Sequence, residues 1–146
     1  MPEVIEAELT RRGATSLIGR RLEAVERTDP LVVGDGVDAA VPGLRITDVG
    51  RHGKLVLVET ELAAGVAGPT IGLHFGMTGR LLVDDGVGIG RLAYGSTSED
   101  PIWDRWVVRL DDASRLRFHD PRRLGRVTRE PAAEHLGPDA LAVRRA

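Results

Sequence analysis

The sequence predicts a mainly β fold of the α+β type, an antiparallel β-sandwich of about eight strands with flanking helices. Three observations predict it. Short runs of period-two alternation recur along the chain and are cut by turn residues about every 8–12 positions. One segment of helical period stands in front of them. At 146 residues the chain has the length of one domain, and such a chain buries roughly 68–70% of the surface it exposes when unfolded.

Each element follows in order. Residues 2–16 read as a helix: Pro2 suits a first helical position and acids crowd the first turn. Ile5, Leu9, the Arg12 stem and Ser16 share the spacing of one face, and Gly13 weakens the last turn. "RLEAVERT" changes to period two, with Leu22, Ala24 and Glu26 on one face and Val25 and Arg27 on the other. "DPLVVGDGVDAAVPG" is loop-rich, with room for one short element. "LRITDVGRHGKLVLVET" reads as two strands around a Gly-Arg-His-Gly turn, and "GPTIGLHFGMTGRLLVDDG" as two more with a turn near Gly76–Gly79. "GVGIGRLAYGSTSEDP" is loop-like. "DRWVVRLDDASRLRFHD" is a hairpin closed by Asp-Asp-Ala-Ser, "GRVTRE" a short last strand, and "PAAEHLG" a brief helix. The domain is expected to span residues 1–137, with 138–146 opening a linker to a further half.

Composition excludes several classes. There is no cysteine, hence no disulfide and no thiolate metal site. No apolar run nears the roughly 18 residues of a membrane helix, and the acidic start is not a secretory signal, so a cytoplasmic location and no membrane partner are expected. The formal charge of −2 is not that of a generally basic nucleic-acid binder. Its distribution is uneven: residues 113–129 hold six arginines and one aspartate, and the remainder carries 14 basic and 21 acidic residues, a formal −7. A basic segment on an acidic chain is a footprint for one partner. Nineteen of the basic residues are arginine and one is Lys54, a group that can exchange its proton where a guanidinium cannot.

Four stretches could carry chemistry. In "MPEVIEAE", removal of Met1 would free the secondary amine of Pro2 with Glu3 beside it. An α-amine titrates near 7.7–8, about where part of it is unprotonated at neutrality. It can attack a sugar aldehyde carbon to give an iminium, with Glu3 moving protons. The plain alternative is a helix start. In "RHGKLVLV", Lys54 follows a glycine turn at a strand mouth, where it contacts a phosphate or a reacting group, or is only an exposed strand end. In "LHFGMTG", Gly76 and Gly79 allow a tight loop after His74. Met77 at its tip is either a flexible apolar wedge between bases or a core side chain folded back. In "HDPRRLG", a rigid turn presents Arg122 and Arg123 to phosphates or base edges, with Leu124 exposed; the alternative is a solvated β-turn.

Taken together and in order, "MPEVIEAE", "RHGK", "HFGMTG", "DPRRLG" and "LGPDAL" resemble the N-terminal domain of the formamidopyrimidine-DNA glycosylase / endonuclease VIII family, over residues 1 to about 141. The resemblance implies a bifunctional DNA glycosylase/AP lyase of base excision repair. Pro2 would be the Schiff-base nucleophile at C1′, Glu3 the general acid/base, and Lys54 a proton donor or phosphate contact. Met77, Arg122 and Leu124 would fill the gap left by the flipped nucleotide, and His74 and Arg123 would lie near backbone phosphates. The implied partner is double-stranded DNA with oxidised or abasic sites, met by a monomer in a bacterial cytoplasm and nucleoid. No cofactor is expected in this chain, because the family's zinc finger belongs to a second half absent here. Without that half, weak DNA binding and little turnover are expected, and a catalytically silent damaged-DNA binding module is the alternative. Three positions depart from the family pattern: Ile5 replaces a proline, Leu124 a phenylalanine, and Trp103 a histidine.

Overall fold

The computed structural model describes residues 2–76, 79–84 and 101–130, with the backbone only at 2–6, 84 and 101. Helix α1 (Pro2–Ala14) runs into a 3-10 turn at Thr15–Leu17. Its buried face is Ala7, Thr10, Ala14 and Leu17. This corrects the face expected from sequence. Leu9 is 43% exposed and Ser16 is exposed. Small side chains turn inward because α1 lies against β2 and β3, where alanine permits close approach and leucine would hold the helix away.

Among the described residues nine strands form two antiparallel sheets. The first has the order β1 (Leu22–Thr28), β7 (Asp104–Leu110), β8 (Arg115–His119), β6 (Arg80–Asp84). The second runs β2 (Arg45–His52), β3 (Leu55–Ala63), β5 (Thr70–His74), β9 (Arg126–Glu130), with the two-residue β4 (Val66–Ala67) also on β3. The sandwich with flanking helices is therefore present, and β4 is a strand that the sequence did not announce. The core lies between the sheets: Val56, Ile71 and Leu73 of the second sheet and Val108, Leu116 and Phe118 of the first belong to one buried cluster. Helix α2 (Val37–Ala40) is tied to the first sheet by Trp106 Nε1, which donates to Asp38 Oδ1 at 3.0 Å.

The expected alternation on β1 fails for a local reason. Its register against β7 slips between Leu22 and Ala24. Leu22 opposes Leu110 and Val25 opposes Val108, so the extra residue turns both Leu22 and Val25 toward the core. In β2 the turn to β3 is shorter than expected, because Arg51 and His52 are strand residues and only Gly53 and Lys54 make the connection.

Two connections matter for function. Strands β5 and β6 do not pair with each other: Phe75 and Gly76 follow β5 in the second sheet, and Gly79 precedes β6 in the first. The segment 120–125 crosses back, from β8 to β9. The expected helix over 131–137 and the domain boundary at 137 lie outside the described residues.

Candidate nucleic-acid interface

Register places three of the four stretches at one end of the sandwich. In the second sheet Leu55 pairs with His74, and His74 with Arg126. The turn 53–54, the crossover 75–79 and the crossover 120–125 all lie just beyond that row. In the first sheet Arg80 and Asp104 both pair with His119, which puts the same crossovers and residues 101–103 at the matching end. Asp29, just past β1, joins them through its N–H to the Arg105 carbonyl, at 2.7 Å.

Helix α1 is directed to this end by two anchors. Just past its C-terminal side, Gly19 N–H donates to the Ile46 carbonyl at 2.8 Å, near the start of β2. Nearer its N-terminus, Arg51 Nε donates to Glu8 Oε1 at 2.9 Å, near the end of β2. The helix therefore runs antiparallel to β2. Six more residues of helix rise about 9 Å beyond Glu8, which carries the Pro2–Glu3 backbone toward the end that holds the 53–54 turn. Arg51 Nη1 also donates to the Gly53 carbonyl at 2.8 Å, so one guanidinium joins α1 to the turn that carries exposed Lys54. Glu8 further accepts from Arg11 Nη2 at 2.7 Å and Arg12 Nε at 2.9 Å. The Arg11 hydrogen bond above all, with those of Arg51 and Arg12, outweighs burial and lowers the Glu8 carboxyl to about 2.

The two crossovers are packed together at the backbone. Phe75 and Phe118 stack with centroids 5.3 Å apart and planes at 9°, one at the base of each crossover. Gly76 has φ +60, and a Cβ there would come 2.7 Å from the Leu124 carbonyl oxygen. A Cβ on Gly125 would overlap the His74 carbonyl. Both glycines are thus required by close approach as well as by the turn. His74 is exposed at the mouth, and Met77 lies outside the described residues.

The arginine turn is built on buried Asp120. Its backbone N–H donates to the Trp103 carbonyl at 3.0 Å, its carbonyl accepts from Arg123 N–H at 3.3 Å, and its Oδ2 accepts from Gly125 N–H at 2.7 Å. Arg122 and Arg123 part company here. Arg123 Nε donates to Asp29 Oδ2 at 2.5 Å, whereas Arg122 is exposed and has no ion-pair or hydrogen-bond partner among the described residues. Leu124 is 49% exposed, as its place between arginine and glycine suggested. Burial alone would raise the Asp29 carboxyl; the Arg123 hydrogen bond, the Leu31 N–H and the charges of Arg123 and Arg105 together hold it below the usual range.

Sequence reasoning missed Asp29, Arg105 and Glu8. The Glu8–Arg11 and Glu8–Arg12 spacings of three and four were legible. The partners of Asp29 are 76 and 94 residues away, and no local pattern announces them.

Residues 1–127 match the family model described as "Formamidopyrimidine-DNA glycosylase N-terminal domain". The chain belongs to this family. It is 36% identical over 153 residues to the formamidopyrimidine-DNA glycosylase of Stenotrophomonas maltophilia (strain K279a), covering 97% of this chain and 50% of the relative. Identity to the same-named protein of Acidithiobacillus ferrooxidans (strain ATCC 53993) is 36% over 151 residues, again 97% and 50%. Among solved structures, the MutM (Fpg) protein of Thermus thermophilus superposes with a TM-score of 0.64 at 30% identity, over 92% of this chain and 42% of that one. The Lactococcus lactis Fpg, at 20% identity and a TM-score of 0.69 over 91% and 46%, shares the fold. The chain spans about half the length of the curated relatives it matches.

Among the described residues no helix is long and apolar enough to cross a membrane, and no group of three or more His, Asp and Glu is placed to hold a metal ion.

Proposed function

We propose that this chain is the N-terminal catalytic domain of a DNA-repair glycosylase/AP lyase that acts on oxidised or abasic sites in duplex DNA. One observation carries the reading: in a chain of this family, both crossovers and the Lys54 turn lie at one end of the sandwich, and α1 is directed there. That end presents an exposed arginine and an exposed leucine, and the α1 backbone runs toward it from Glu8 to Pro2. Solved Lactococcus lactis Fpg structures include complexes with abasic-site and Fapy-dG DNA, which supports damaged DNA as the partner class.

The chemistry follows from the groups. With Met1 removed, the Pro2 nitrogen attacks C1′; the N–C1′ bond forms as the glycosidic bond breaks, and the base leaves with a proton. Glu3 supplies and accepts protons as the sugar ring opens to an iminium. Loss of a C2′ proton then expels the 3′ phosphate, and a second elimination expels the 5′ phosphate. Lys54 stabilises the phosphate or donates a proton. A base can react only when out of the stack, and Arg122, Leu124 and Met77 hold the vacated space. His74 faces the backbone. The nucleophile is the chain's own amine, so these steps call on no cofactor within it.

Borohydride trapping on abasic-site DNA tests the proposal. A covalent adduct is expected with the processed chain and none with Pro2→Gly or with Met1 retained. Salt-dependent DNA binding without any adduct would mean a catalytically silent binding module.

A further inference from the structure

The proposed DNA contact leaves the doubled arginine of the turn unexplained, because its two members are held so differently. Arg105 is buried, its side chain 9% exposed. Its Nε donates to the Asp120 carbonyl at 2.8 Å and its Nη2 to the Pro121 carbonyl at 3.0 Å. Its Nη1 reaches Asp29 Oδ2 at 3.4 Å, the same oxygen that accepts from Arg123 Nε at 2.5 Å. One carboxylate oxygen from the segment after β1 thus bridges two guanidiniums. One of them grips the start of the turn by two backbone carbonyls, and the other is the third residue of the turn after Asp120. Arg123 also has φ +56, a backbone conformation that side chains with a Cβ rarely adopt. Arg123 Nε is committed to Asp29, and the carboxylate beside it offsets the guanidinium's charge, so Arg123 adds less to counterion release on binding than an unpaired arginine does.

We propose that Asp29, Arg105 and Arg123 form an internal latch that sets the arginine turn, and that Arg123 positions Arg122 and Leu124 instead of touching nucleic acid. This rests on the DNA-binding reading above. It assigns the turn's two arginines separate tasks: Arg122 meets the DNA, and Arg123 is a positioning residue acting through Asp29. Arg105 gives the latch an optical handle, since its guanidinium carbon lies 5.8 Å from the centroid of the partly exposed Trp103 ring.

The test is anisotropy titration of the full 146-residue chain with an abasic-site duplex over a series of salt concentrations. Arg122→Gln is expected to make the slope of log K against log salt shallower by about 0.9, one phosphate contact. Arg123→Gln is expected to keep the wild-type slope and to weaken binding by the same factor at every salt concentration, roughly tenfold. Arg105→Lys, which keeps the charge but not the planar fork, is expected to give the same parallel loss and to shift Trp103 emission. A slope reduced by about 0.9 in Arg123→Gln, or wild-type binding in Arg105→Lys, overturns the proposal. A thermal double-mutant cycle decides the latch without DNA: Arg123→Gln with Asp29→Asn should melt no lower than the worse single variant, and additive losses would refute coupling. If the wild-type chain shows no salt-dependent binding while the cycle is coupled, the DNA reading fails and the latch stands.

Discussion

Strand β8 has a turn at each end, and the two are built from similar parts to different effect. The turn 111–114 joins β7 to β8 within one sheet. The turn 120–125 leaves β8 for the other sheet. Each has an aspartate that caps a backbone N–H: Asp112 accepts from Ser114 N–H at 3.0 Å, and Asp120 from Gly125 N–H at 2.7 Å. Each has one non-glycine residue at positive φ, Ala113 at +70 and Arg123 at +56. Each has an arginine–aspartate pair, Arg20 with Asp112 at 3.2 Å and Arg123 with Asp29. The difference is what the supports hold in place. The first turn is secured mainly by its own residues and closes a hairpin. The second is held by residues from two other segments, and it carries an exposed arginine and an exposed leucine. A hairpin turn only has to return the chain; a turn that presents side chains to a partner needs bracing from outside itself.

That contrast can be broken by adding one methyl group to the second turn. Gly125→Ala drives a Cβ into the His74 carbonyl and to 2.9 Å from the Phe118 ring. It should cost about 3 kcal/mol, lowering the melting temperature by roughly 10 °C. An unchanged melting curve would show that the crossovers are not in contact.

The two caps give the next comparison. Asp120 is fully buried, and Asp120→Ala leaves a buried N–H unsatisfied, at a cost of about 2–3 kcal/mol. Asp112→Ala, in a solvent-facing turn, should cost about 1 kcal/mol. Equal losses in urea denaturation would erase the distinction between the turns.

Acid tests the anchor of α1 at the crossover end. Glu8, at the crossover end, titrates at about 2 in the folded chain against 4.5 for an ordinary glutamate carboxyl. A depressed folded value stabilises above the unfolded pKa. The contribution, on the order of 1 kcal/mol after solvent screening, is complete above about pH 4.5 and lost as pH falls toward 2. In Glu8→Gln the drop in stability over that window should be smaller than in the wild type, as read by melting temperature against pH.

The smallest effect reverses sign between the turns. Ala113→Gly relieves a left-handed conformation and should stabilise by about 0.5 kcal/mol. Arg123→Gly relieves the same strain but removes the Asp29 pair, and should be net destabilising by about 1 kcal/mol. Stabilisation by both in thermal melts would mean that the Asp29 pair contributes nothing.

Much of the fold was legible because it is written in local chemistry. The Asp-Asp-Ala-Ser hairpin, the turn that follows the strand of His74, the short last strand in "GRVTRE" and the helix start at Pro2 each follow from period and turn residues within a few positions. The errors have the same origin. Hydrophobicity assigns Leu9 to the buried face of α1, yet close packing on β2 and β3 selects alanine there. Strict alternation assigns the two faces of β1, and one bulge suffices to overturn it. In the site, "HFGMTG" and "DPRRLG" could be singled out as loops of unusual chemistry, and Leu124 as exposed.

The sequence by itself determined most of the strands and turns and the arginine-rich segment, because these depend on residues close together in the chain. Only the tertiary structure decided that both motif loops are crossovers at one end of the sandwich, that α1 runs toward them, and that Arg123 turns back to Asp29 while Arg122 faces outward. Those facts depend on sheet order and on pairs of charges up to 94 residues apart. Such pairs form only when the core brings distant segments together, and local patterning carries no record of which carboxylate a guanidinium will meet.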